Sequence, residues 1–397
     1  MPRARVTAQT YPTGAGQGAG GGDGVHLAGG PRLRPLRVGL VCPYSLTLPG
    51  GVQGQVLGLG EALRRQGIDA RVLGPCDGPP PHAAVTPLGN SVPAAGNGSV
   101  AAIAPDPACV LRTIRALRDE EFDVLHLHEP LVPGPTLTAL VFSEAPLVAT
   151  FHRSGESLGY RAVRPLARFV GDRVAVGAAV SEEAEITARN AMAGHYERVW
   201  NGIDTSAYDA AVPWPSGGPT IVFVGRHEPR KGLAMLVAAM AGLGPDVRLW
   251  VMGEGPETAR LQGQTQADPR IEWLGMVDEV EKVRRLRGAT VFCAPSLAGE
   301  SFGVVLLEAM AAGNAVVASD LAGYRNVARG GAEALLVAPG DVAALTSALR
   351  QTLAGGPAAD AMVDAAQRRA QHFSLDALAS RYLSLYRQAL ATAPGPA

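Results

Sequence analysis

The sequence predicts an α/β protein made of two doubly wound domains that face each other across a cleft. In both halves of the chain, short apolar runs alternate with helical patterns, which is typical of parallel sheets covered on both faces. The length of 397 residues agrees with two domains of about 150 residues each. A segment rich in Pro and Gly, residues 205–219, separates the two series.

Strands of the first half are predicted from short apolar runs, which begin directly after Leu36. Such runs are typical of strands that are buried on both faces. An irregular connection rich in Pro, Gly and Asn is expected at 74–98. In chain order, the predicted elements are strand 37–42, helix 52–66, strand 71–73, helix 108–117, strand 124–128, helix 135–143 and strand 147–151.

The second half repeats this alternation after the linker 205–219. One helix is expected after Lys231 and Gly232. Another is expected from Phe302 to Ala312, ending at Gly313, because Gly favours the left-handed position that follows a helix. In chain order, the predicted strands are 220–224, 248–252, 271–274, 290–293 and 315–318, and a last helical pattern covers 374–390.

Four segments follow from these patterns. Residues 1–35 form a Gly-rich extension that we expect to be disordered, since it has too few large apolar side chains to offset the entropy of ordering. It also lacks the apolar run of a secretory signal. Residues 36–204 and 205–373 are the two expected Rossmann-like domains. Residues 374–397 are expected to form a helix and tail that pack back on the first domain.

The composition argues against several classes of protein. Hydrophobic residues make up 47% and charged residues 18% of the chain, as in a globular protein. No apolar run approaches the roughly 18 residues that would span a bilayer. A formal net charge of -1 argues against a general nucleic-acid-binding protein, which would carry a basic excess. The four cysteines are scattered, so neither a disulfide framework nor a zinc site is expected.

Lysine is scarce in this chain. Only two of the 35 basic residues are lysines, Lys231 and Lys282, and the others are arginines. Arg and Lys are not interchangeable where a compact point charge is needed. The two lysines are therefore candidates for specific contacts.

A loop with two adjacent glycines, residues 48–53, follows the first predicted strand. Glycines in such a loop let backbone amides approach a phosphate at the N-terminus of a helix. A dinucleotide fingerprint would place G-x-G-x-x-G directly after the strand, and the intervening residues 43–50 make that spacing wrong. The loop therefore indicates an anion contact or a simple tight turn.

Three histidines lie on or directly after predicted strands. His126 and His128 alternate on one strand and share a face, while His152 follows another strand. The H-x-H pattern suggests a metal pair, but no third ligand is apparent, so a place in the core or along a cleft is favoured. His152 is better placed for chemistry. No D-x-D motif occurs that would hold a nucleotide diphosphate through a metal.

Charged residues cluster after two strands of the second half. Arg226 and Lys231 lie directly after strand 220–224, where doubly wound sheets bind ligands, and are placed to clamp a diphosphate. Glu300 precedes a predicted helix, and Glu308 lies inside it among apolar residues, where a carboxylate needs a partner. The alternatives are a solvated loop, an N-cap glutamate and a helix-surface glutamate.

Together these residues resemble retaining glycosyltransferases of the two-domain GT-B fold, in which a G-R-x4-K segment precedes an E-x7-E element. Here the segment runs from Gly225 to Lys231 and the element from Glu300 to Glu308. Within that group the chain resembles the phosphatidylinositol α-mannosyltransferases more closely, over about residues 36–390. Matching stretches are 41–45, 49–53, 97–101, 122–130, 148–152, 228–232 and 299–303.

The resemblance implies a site for a sugar-nucleotide donor, and GDP-mannose is the favoured donor. Glu300 would contact the donor sugar and Glu308 the ribose. His152 would line the opposite side and position donor and acceptor, so His152 and Glu300 are the catalytic candidates. The remaining donor residues implied are Gly51, Arg226, Arg230 and Lys231 at the diphosphate, Ser301, Phe302, Gly303 and Val304 through their backbone, and Val277, Asp278, Glu279 and Lys282 along the nucleotide, with Glu279 replacing the usual aspartate.

The resemblance also implies an acceptor site for the headgroup of a phosphatidylinositol-type lipid. Three positions depart from the family pattern: Ala102 replaces an arginine, Arg153 replaces a threonine, and Thr47 replaces the usual aspartate. Either Arg153 supplies the phosphate contact that Ala102 cannot, or the acceptor differs. The implied acceptor residues are Tyr44, Pro49, Gly50, Gln53, Asn97, Ser99 and Arg153.

The expected function is transfer of mannose from GDP-mannose, with retention of the α configuration, to phosphatidylinositol or a phosphatidylinositol mannoside at the cytoplasmic face of the cell membrane. No cofactor or metal is expected. Peripheral membrane contact is expected to be weak, because acidic residues 119–121 offset a basic stripe of Arg112, Arg115 and Arg118. The alternatives are a related transferase with another sugar nucleotide or a soluble acceptor, and a nucleotide-sugar-binding protein without transfer. The sequence does not predict an oligomeric state.

Overall fold

Two parallel β-sheets, one in each half of the chain, organise the computed structural model. The structure describes residues 34–96, 99–153, 165, 167, 169–300, 302–329 and 331–392. Nearly all of the expected N-terminal extension therefore lies outside the described residues, as do the site candidates Asn97 and Ser301. Both sheets belong to one compact unit that begins at Pro35, so the boundary between two domains stays a prediction.

The first half contains a seven-stranded parallel sheet and a small hairpin. Its described elements are β1 (Arg37–Val41), α1 (Gly51–Arg65), β2 (Asp69–Gly74), β3 (Val85–Pro87), β4 (Val92–Gly96), β5 (Ser99–Ile103), α2 (Pro107–Glu120), β6 (Val124–His128), α3 (Pro135–Phe142), β7 (Leu147–Phe151), β8 (Val174–Ala179), α4 (Glu182–Ala191) and β9 (Tyr196–Arg198). The sheet has the order β3-β2-β1-β6-β7-β8-β9.

Both faces of the first sheet are buried, which explains why its strands read as continuous apolar runs. In β1, Val38 and Leu40 belong to the core on the side of α1. Val41 belongs to the core on the opposite side, together with Leu73 and Leu125. Because successive side chains of a strand point to opposite faces, β1 contributes residues to both cores.

The connection at 74–98 is more regular than its composition indicates. It contains β3, which extends the sheet beside β2, and β4, which pairs with β5 in an antiparallel hairpin. The hairpin touches the loop after β1, because Tyr44 forms a bridge with Ile103 and the amide of Ser45 donates to the carbonyl of Ala102 over 2.9 Å. The prediction of an irregular segment is therefore wrong, since strand pairing satisfies its backbone polar groups.

The second half contains a six-stranded parallel sheet, in which the strand from Ile271 to Gly275 and the strand from Leu335 to Val337 lie at the two edges. The described elements are α5 (Thr205–Ala210), β10 (Thr220–Val224), α6 (Leu233–Met240), β11 (Arg248–Met252), α7 (Thr258–Thr265), β12 (Ile271–Gly275), α8 (Glu279–Gly288), β13 (Val291–Ala294), α9 (Val304–Ala312), β14 (Ala315–Ser319), α10 (Ala322–Arg325), β15 (Leu335–Val337), α11 (Val342–Leu353), α12 (Pro357–Gln371) and α13 (Leu375–Thr392).

The second half departs from the sequence prediction at the start of one helix and in the linker. The helix expected from Phe302 begins at Val304, because Gly303 has a left-handed conformation with φ +96 and cannot belong to the helix. The linker 205–219 contains the short helix α5, which starts after the N-cap Asp204. Within the described part of the chain, no helix is both long enough and apolar enough to cross a bilayer.

The chain crosses from the first half to the second near Ile203 and returns near Ser374, and these two segments lie side by side. Ile203 and Ser374 form a parallel bridge, in which the amide of Ile203 donates to the carbonyl of Phe373 and the amide of Leu375 donates to the carbonyl of Ile203. The side-chain amide of Gln55 in α1 forms two hydrogen bonds of 2.7 Å with the backbone of Gly202. The hydrogen bonds of Gln55 therefore attach the crossing segment at Gly202 to α1.

Helix α13 returns from this crossing to the first sheet, where it contacts α1, β6, β7 and β8. Two of its tyrosines are buried against those strands. The hydroxyl of Tyr386 lies 2.8 Å from Nδ1 of His126, and that of Tyr382 lies 3.0 Å from Oγ1 of Thr150. The same Thr150 hydroxyl lies 2.7 Å from Nε2 of His126, so the four side chains form one buried network.

Removal of one hydroxyl from this network should destabilise the fold. We expect Tyr386→Phe to lower the free energy of unfolding by about 1–3 kcal/mol, because Nδ1 of His126 would stay buried without a partner. Urea unfolding measures this change. The matched control is Ser384→Ala on the exposed side of the same helix, which should cost less than about 0.5 kcal/mol. Equal effects of the two substitutions would argue against the network.

Acidification should also destabilise the protein through its buried histidines. Burial lowers the pKa of His126 and the pKa of His128 well below the ordinary value of 6.5. Below about pH 6.5 the unfolded chain therefore binds protons that the folded chain does not, and stability falls by up to about 1.4 kcal/mol per pH unit for each histidine. The Tm should accordingly decrease between about pH 7 and pH 5.

A variant separates these histidines from other titrating groups. His126→Gln should make the dependence of Tm on pH shallower, because one of the buried rings that resist protonation is gone. His195→Ala, which removes an exposed histidine, should leave the dependence unchanged. A Tm that is constant across the acidic range in the wild-type protein would contradict the prediction.

Candidate active site

The carboxyl ends of neighbouring strands bring the three histidines together. β6 ends at His128, and His152 directly follows β7, its neighbour in the sheet. Nδ1 of His128 lies 2.9 Å from Nε2 of His152, and the centroid of the His126 ring lies 4.1 Å from that of His128. Among the residues that the structure describes, no group of three or more side chains is arranged to bind a metal.

His152 is held at three of its nitrogen atoms. Its backbone amide donates to Oε1 of Glu129 over 2.6 Å, and its Nδ1 lies 3.2 Å from Oδ1 of Asn201. Its Nε2 faces His128. Burial lowers the pKa of His152 to about 4, although the contact with Asn201 acts in the opposite direction. The imidazole is therefore neutral at physiological pH.

Glu129 is a buried carboxylate that the sequence analysis did not select. Its backbone is left-handed, with φ +53, a conformation that non-glycine residues adopt only where the surroundings enforce it. Its amide donates to the carbonyl of Thr150, and its own carbonyl accepts from the amide of Val132 and the hydroxyl of Thr136. The signal in the sequence is an acid at the end of a buried strand, followed by Pro130.

The loop after β1 places several predicted acceptor residues side by side. Asp77 fixes this loop, since its carboxylate accepts from Ser45 Oγ and its amide donates to Oγ1 of Thr47 over 2.9 Å. Helix α1 begins at Gly51, with no acidic residue in its first turn and, within the described part of the chain, no side chain that caps it. A Cβ atom at Gly51 would meet no heavy atom of the described residues within 4 Å.

Two of the predicted acceptor residues, Tyr44 and Arg153, interact electrostatically. Burial raises the pKa of Tyr44, and the nearby charge of Glu129 raises it further, while Arg153 acts in the opposite direction. Ala102, in β5, joins the same loop through its carbonyl group. The structure thus brings Ala102 to the loop that carries Tyr44 and Thr47, and the charge of Arg153 acts on that tyrosine.

Three further candidates border this loop. Pro49 precedes the start of α1, and Gln53 lies in the first turn of that helix. The side chain of Gln53 folds back over Gly50, where a Cβ atom would lie 2.2 Å from its Oε1. Ser99 lies in β5, in the same hairpin as Ala102.

The second sheet places its cations on the loop that follows β10. Nζ of Lys231 lies 2.6 Å from Oε1 of Glu300. Glu228, which the sequence analysis did not select, is buried between two arginines: its oxygens lie 3.2 Å from Nε of Arg226 and 2.8 Å from Nε of Arg230. One carboxylate thus orients both guanidinium groups.

A close backbone contact holds this loop against the loop that carries Glu300. Gly232 has φ +67, and a Cβ atom there would lie 1.9 Å from the carbonyl oxygen of Pro295. The amide of Leu297 donates to the carbonyl of Arg230 over 2.7 Å. Only glycine fits this position, because any side chain would separate the two loops.

Glu300 has a second support behind it. The hydroxyl of Ser296 donates to Oε1 of Glu300 over 2.9 Å, and the same hydroxyl lies 2.9 Å from that of the buried Tyr324. Lys231 and Ser296 therefore both hold Oε1 of this carboxylate. Neither Ser296 nor Tyr324 was selected from the sequence, since their contact depends on the folded loop.

Glu308 in α9 forms the second lysine pair. Oε1 of Glu308 lies 2.9 Å from Nζ of Lys282, which also lies 2.9 Å from Oε2 of Glu279. Burial acts to lower the pKa of Lys282, but the two carboxylates outweigh it and the pKa is raised. Asp278 caps α8 through the amide of Glu281, and Val277 packs against the core beside it. Both of the chain's lysines therefore pair with a glutamate that the sequence analysis predicted to contact the donor.

The N-terminus of α9 lies directly after Glu300 in the sequence. The helix Val304–Ala312 has no acidic residue in its first turn and, among the described residues, no side chain that caps it. Its N-cap, Gly303, needs φ +96, and a Cβ atom there would lie 3.0 Å from the ring of Tyr324. Phe302 is buried against Phe373. The helix dipole at this end favours an anion.

Two family models match the two halves of the chain. The model described as Glycosyltransferase Family 4 matches residues 49–207, which include the glycine loop and His152. The model described as Glycosyl transferases group 1 matches residues 218–355, which include both lysine–glutamate pairs. Together the two matches cover every strand of both sheets except β1.

Solved structures resemble the fold. Anabaena HepE in complex with UDP and glucose has a TM-score of 0.70 at 18% identity, over 88% of this chain and 99% of that one. The sucrose-phosphate synthase of Thermosynechococcus elongatus has a TM-score of 0.70 at 22% identity, over 90% and 100%. At these identities the likeness shows the fold alone, and it confirms the predicted GT-B fold.

Curated relatives show more than the fold. A phosphatidyl-myo-inositol mannosyltransferase of Mycobacterium leprae is 38% identical over 361 residues, which are 88% of this chain and 96% of the relative. One of Propionibacterium freudenreichii is 39% identical over 311 residues, 74% and 79% of the two chains. The resemblance inferred from the sequence is confirmed, and the chain belongs to the phosphatidyl-myo-inositol mannosyltransferase family of glycosyltransferases.

Proposed function

We propose that this chain transfers mannose from GDP-mannose, with retention of the α configuration, to phosphatidylinositol or a phosphatidylinositol mannoside. The observation that carries the proposal is the 38% identity to a phosphatidyl-myo-inositol mannosyltransferase over 96% of that relative. The site supports it, because the cations and carboxylates expected for a sugar nucleotide lie together beside one sheet. The reaction would occur at the cytoplasmic face of the cell membrane.

The donor diphosphate would lie between the loop after β10 and the N-terminus of α9. Arg226, Arg230 and Lys231 would neutralise it, and the amide of Gly51 would approach it from the first sheet. Because Glu228 already orients the two arginines, they need little rearrangement when the donor binds. Charged groups that are fixed in advance stabilise a developing negative charge most effectively.

The nucleoside and the sugar would contact the two glutamates. Glu308, held by Lys282, would accept hydrogen bonds from the ribose, and Glu300, held by Lys231 and Ser296, would contact the mannose hydroxyls. The remaining donor contacts proposed are Val277, Asp278 and Glu279 along the nucleotide, and the backbone of Ser301, Phe302, Gly303 and Val304 near the phosphates.

The chemistry needs charge stabilisation more than a dedicated nucleophile. When the bond from the anomeric carbon to GDP breaks, negative charge develops on the diphosphate, next to Arg226 and Lys231. Positive character develops on the sugar, which the carboxylate of Glu300 and a neutral His152 tolerate. A pKa of about 4 keeps His152 uncharged, so it would not repel that sugar. Front-side attack by the acceptor hydroxyl would then give retention.

The acceptor headgroup would bind around Tyr44, with Pro49, Gly50, Gln53, Asn97 and Ser99. Ala102 removes the arginine that the family places in β5, while Arg153 adds a cation near the same tyrosine. We therefore favour compensation: Arg153 would contact the lipid phosphate. A different acceptor remains the second candidate, and the loss of the arginine at position 102 is the observation that favours it.

Membrane contact would be weak and peripheral. Two of the three arginines in the basic stripe of α2 already have partners within the protein. Nε of Arg112 donates to the carbonyl of Leu88 over 2.8 Å, and Arg115 pairs with Asp119 at 3.2 Å. Attraction of these groups to anionic lipid, worth about 1 kcal/mol for a free basic residue, would be correspondingly reduced.

A panel of donors and acceptors tests the proposal. We expect the purified protein to transfer mannose from GDP-mannose to phosphatidylinositol in vesicles, and not to transfer sugars from UDP-glucose or UDP-galactose. Radiolabelled donor and extraction of the lipid product measure transfer. Transfer only from UDP-sugars, or transfer that does not depend on lipid, would contradict the proposal. Binding of GDP-mannose without transfer would indicate a nucleotide-sugar-binding protein.

The same assay separates the two acceptor hypotheses. A charge-assisted contact with the phosphate contributes about 1.5–3 kcal/mol, so Arg153→Ala should raise the KM for phosphatidylinositol on the order of 10- to 100-fold. The KM for GDP-mannose should not change. An unchanged KM for the lipid would favour a different acceptor or a different phosphate contact.

Charge-preserving substitutions test the two lysines. Lys231→Arg and Lys282→Arg should each weaken GDP-mannose binding on the order of tenfold or more, because a planar guanidinium does not fit the place of a compact ammonium held by a glutamate. Calorimetry measures the Kd. The matched control is Arg325→Lys at the exposed pair with Asp320, which should leave the Kd unchanged. If both lysine variants bind the donor normally, the lysines have no specific role in donor binding.

A further inference from the structure

We propose that His128 is a positioning residue for the transfer reaction: its Nδ1–H donates to Nε2 of His152 and thereby fixes the tautomer and the orientation of that ring. The effect on the reaction rests on the role proposed above for His152, whereas the hydrogen bond between the two histidines does not depend on that role. The two nitrogens are 2.9 Å apart in the structure of the protein.

The direction of this hydrogen bond follows from the contacts of His152. A neutral imidazole has one N–H donor and one acceptor nitrogen. Nδ1 of His152 faces Oδ1 of Asn201 at 3.2 Å, and an amide oxygen only accepts, so Nδ1 carries the proton. Nε2 is then the acceptor, and Nδ1 of His128 must donate to it.

The far side of the His128 ring agrees with this assignment. If Nδ1 of His128 carries the proton, its Nε2 carries none and needs no acceptor. That Nε2 is buried and has no hydrogen-bond partner among the described residues. The opposite tautomer would bury an N–H group without a partner, and a buried unsatisfied donor costs about 1–3 kcal/mol.

His128 is itself held rigidly enough to position another ring. Its side chain is 1% exposed. It packs against His126, with centroids 4.1 Å apart, on one side and against His152, with centroids 5.2 Å apart, on the other. His126 is fixed in turn by Tyr386 and Thr150. The ring of His128 therefore cannot rotate unless its neighbours move as well.

The residue after His128 holds the backbone of the same partner. Oε1 of Glu129 accepts from the amide of His152 over 2.6 Å, and Glu129 reaches it from a left-handed backbone. Residues at the end of β6 therefore hold both the ring and the backbone of His152. Each ring nitrogen of His152 already has a partner, so this residue would contribute ring position to the reaction, not proton transfer.

Two substitutions that differ only in where they place a donor test this inference. In His128→Asn the side-chain Nδ2–H takes the place of the Nδ1–H of the imidazole, whereas in His128→Gln the donor lies near the former Nε2. His128→Gln should lower kcat for mannosyl transfer on the order of 10- to 100-fold, as expected for a misplaced active-site ring. His128→Asn should keep most of the wild-type kcat.

The two kinetic constants should respond differently. The KM for GDP-mannose should stay within about threefold in both variants, since His128 touches His152 and not the donor. His195→Ala, at an exposed histidine, is the control and should match the wild-type protein in both constants. Equal kcat values for His128→Asn and His128→Gln would overturn the inference.

Nuclear magnetic resonance of the wild-type protein tests the hydrogen bond without any substitution. In ¹⁵N-histidine-labelled protein without substrate, long-range ¹H–¹⁵N correlations should show the proton of His152 on Nδ1 and an unprotonated Nε2. A proton on Nε2 of His152 would overturn the inference even if both variants failed to fold. His152→Ala assigns the signals. Unchanged turnover in that variant would contradict the proposed role of His152, while the spectrum would still decide the tautomer.

Discussion

The buried hydrogen bond between Tyr386 and His126 is the contact on which the first half of the site depends. It joins the last helix of the chain to a strand 260 positions earlier. Because both groups are buried, each loses its contact with water and the pair becomes strongly directional. His126 then confines the ring of His128, which reaches His152. A helix with no role in chemistry thus supports the side chain at which donor and acceptor are proposed to meet.

The second half of the site is held by charge instead of by buried neutral rings. Lys231 with Glu300 and Lys282 with Glu308 are short ion pairs in largely enclosed positions. Ser296 also donates a hydrogen bond to Glu300. Lys282 is shared between Glu308 and Glu279. Such pairs add little to stability when one counts their desolvation, but they fix the direction of charged groups before a ligand arrives.

Sequence patterns predicted what depends on periodicity and missed what depends on pairing over long distances. Continuous apolar runs predicted most of the central strands. A strand that is buried on both faces has apolar residues at successive positions, so such a run is easy to recognise in the sequence. The hairpin at Ala102 was missed, since its Pro and Gly composition resembles a loop until a partner strand is present. At the site, the E-x7-E spacing selected Glu300 and Glu308. Glu129, Glu228 and Asn201 were not selected, because each acquires its contact only when distant segments meet.

The placement of the only two lysines has a consequence for covalent chemistry. Apart from the N-terminal α-amine, Lys231 and Lys282 supply the only primary amines in the sequence. Acetylation, carbamylation or glycation of lysine can therefore modify this protein only beside its carboxylates Glu300 and Glu308. Since its raised pKa keeps Lys282 protonated, that amine is a poor nucleophile while its carboxylate partners remain in place. Acylation of lysine would thus act at the proposed donor site and on no other lysine side chain of the sequence.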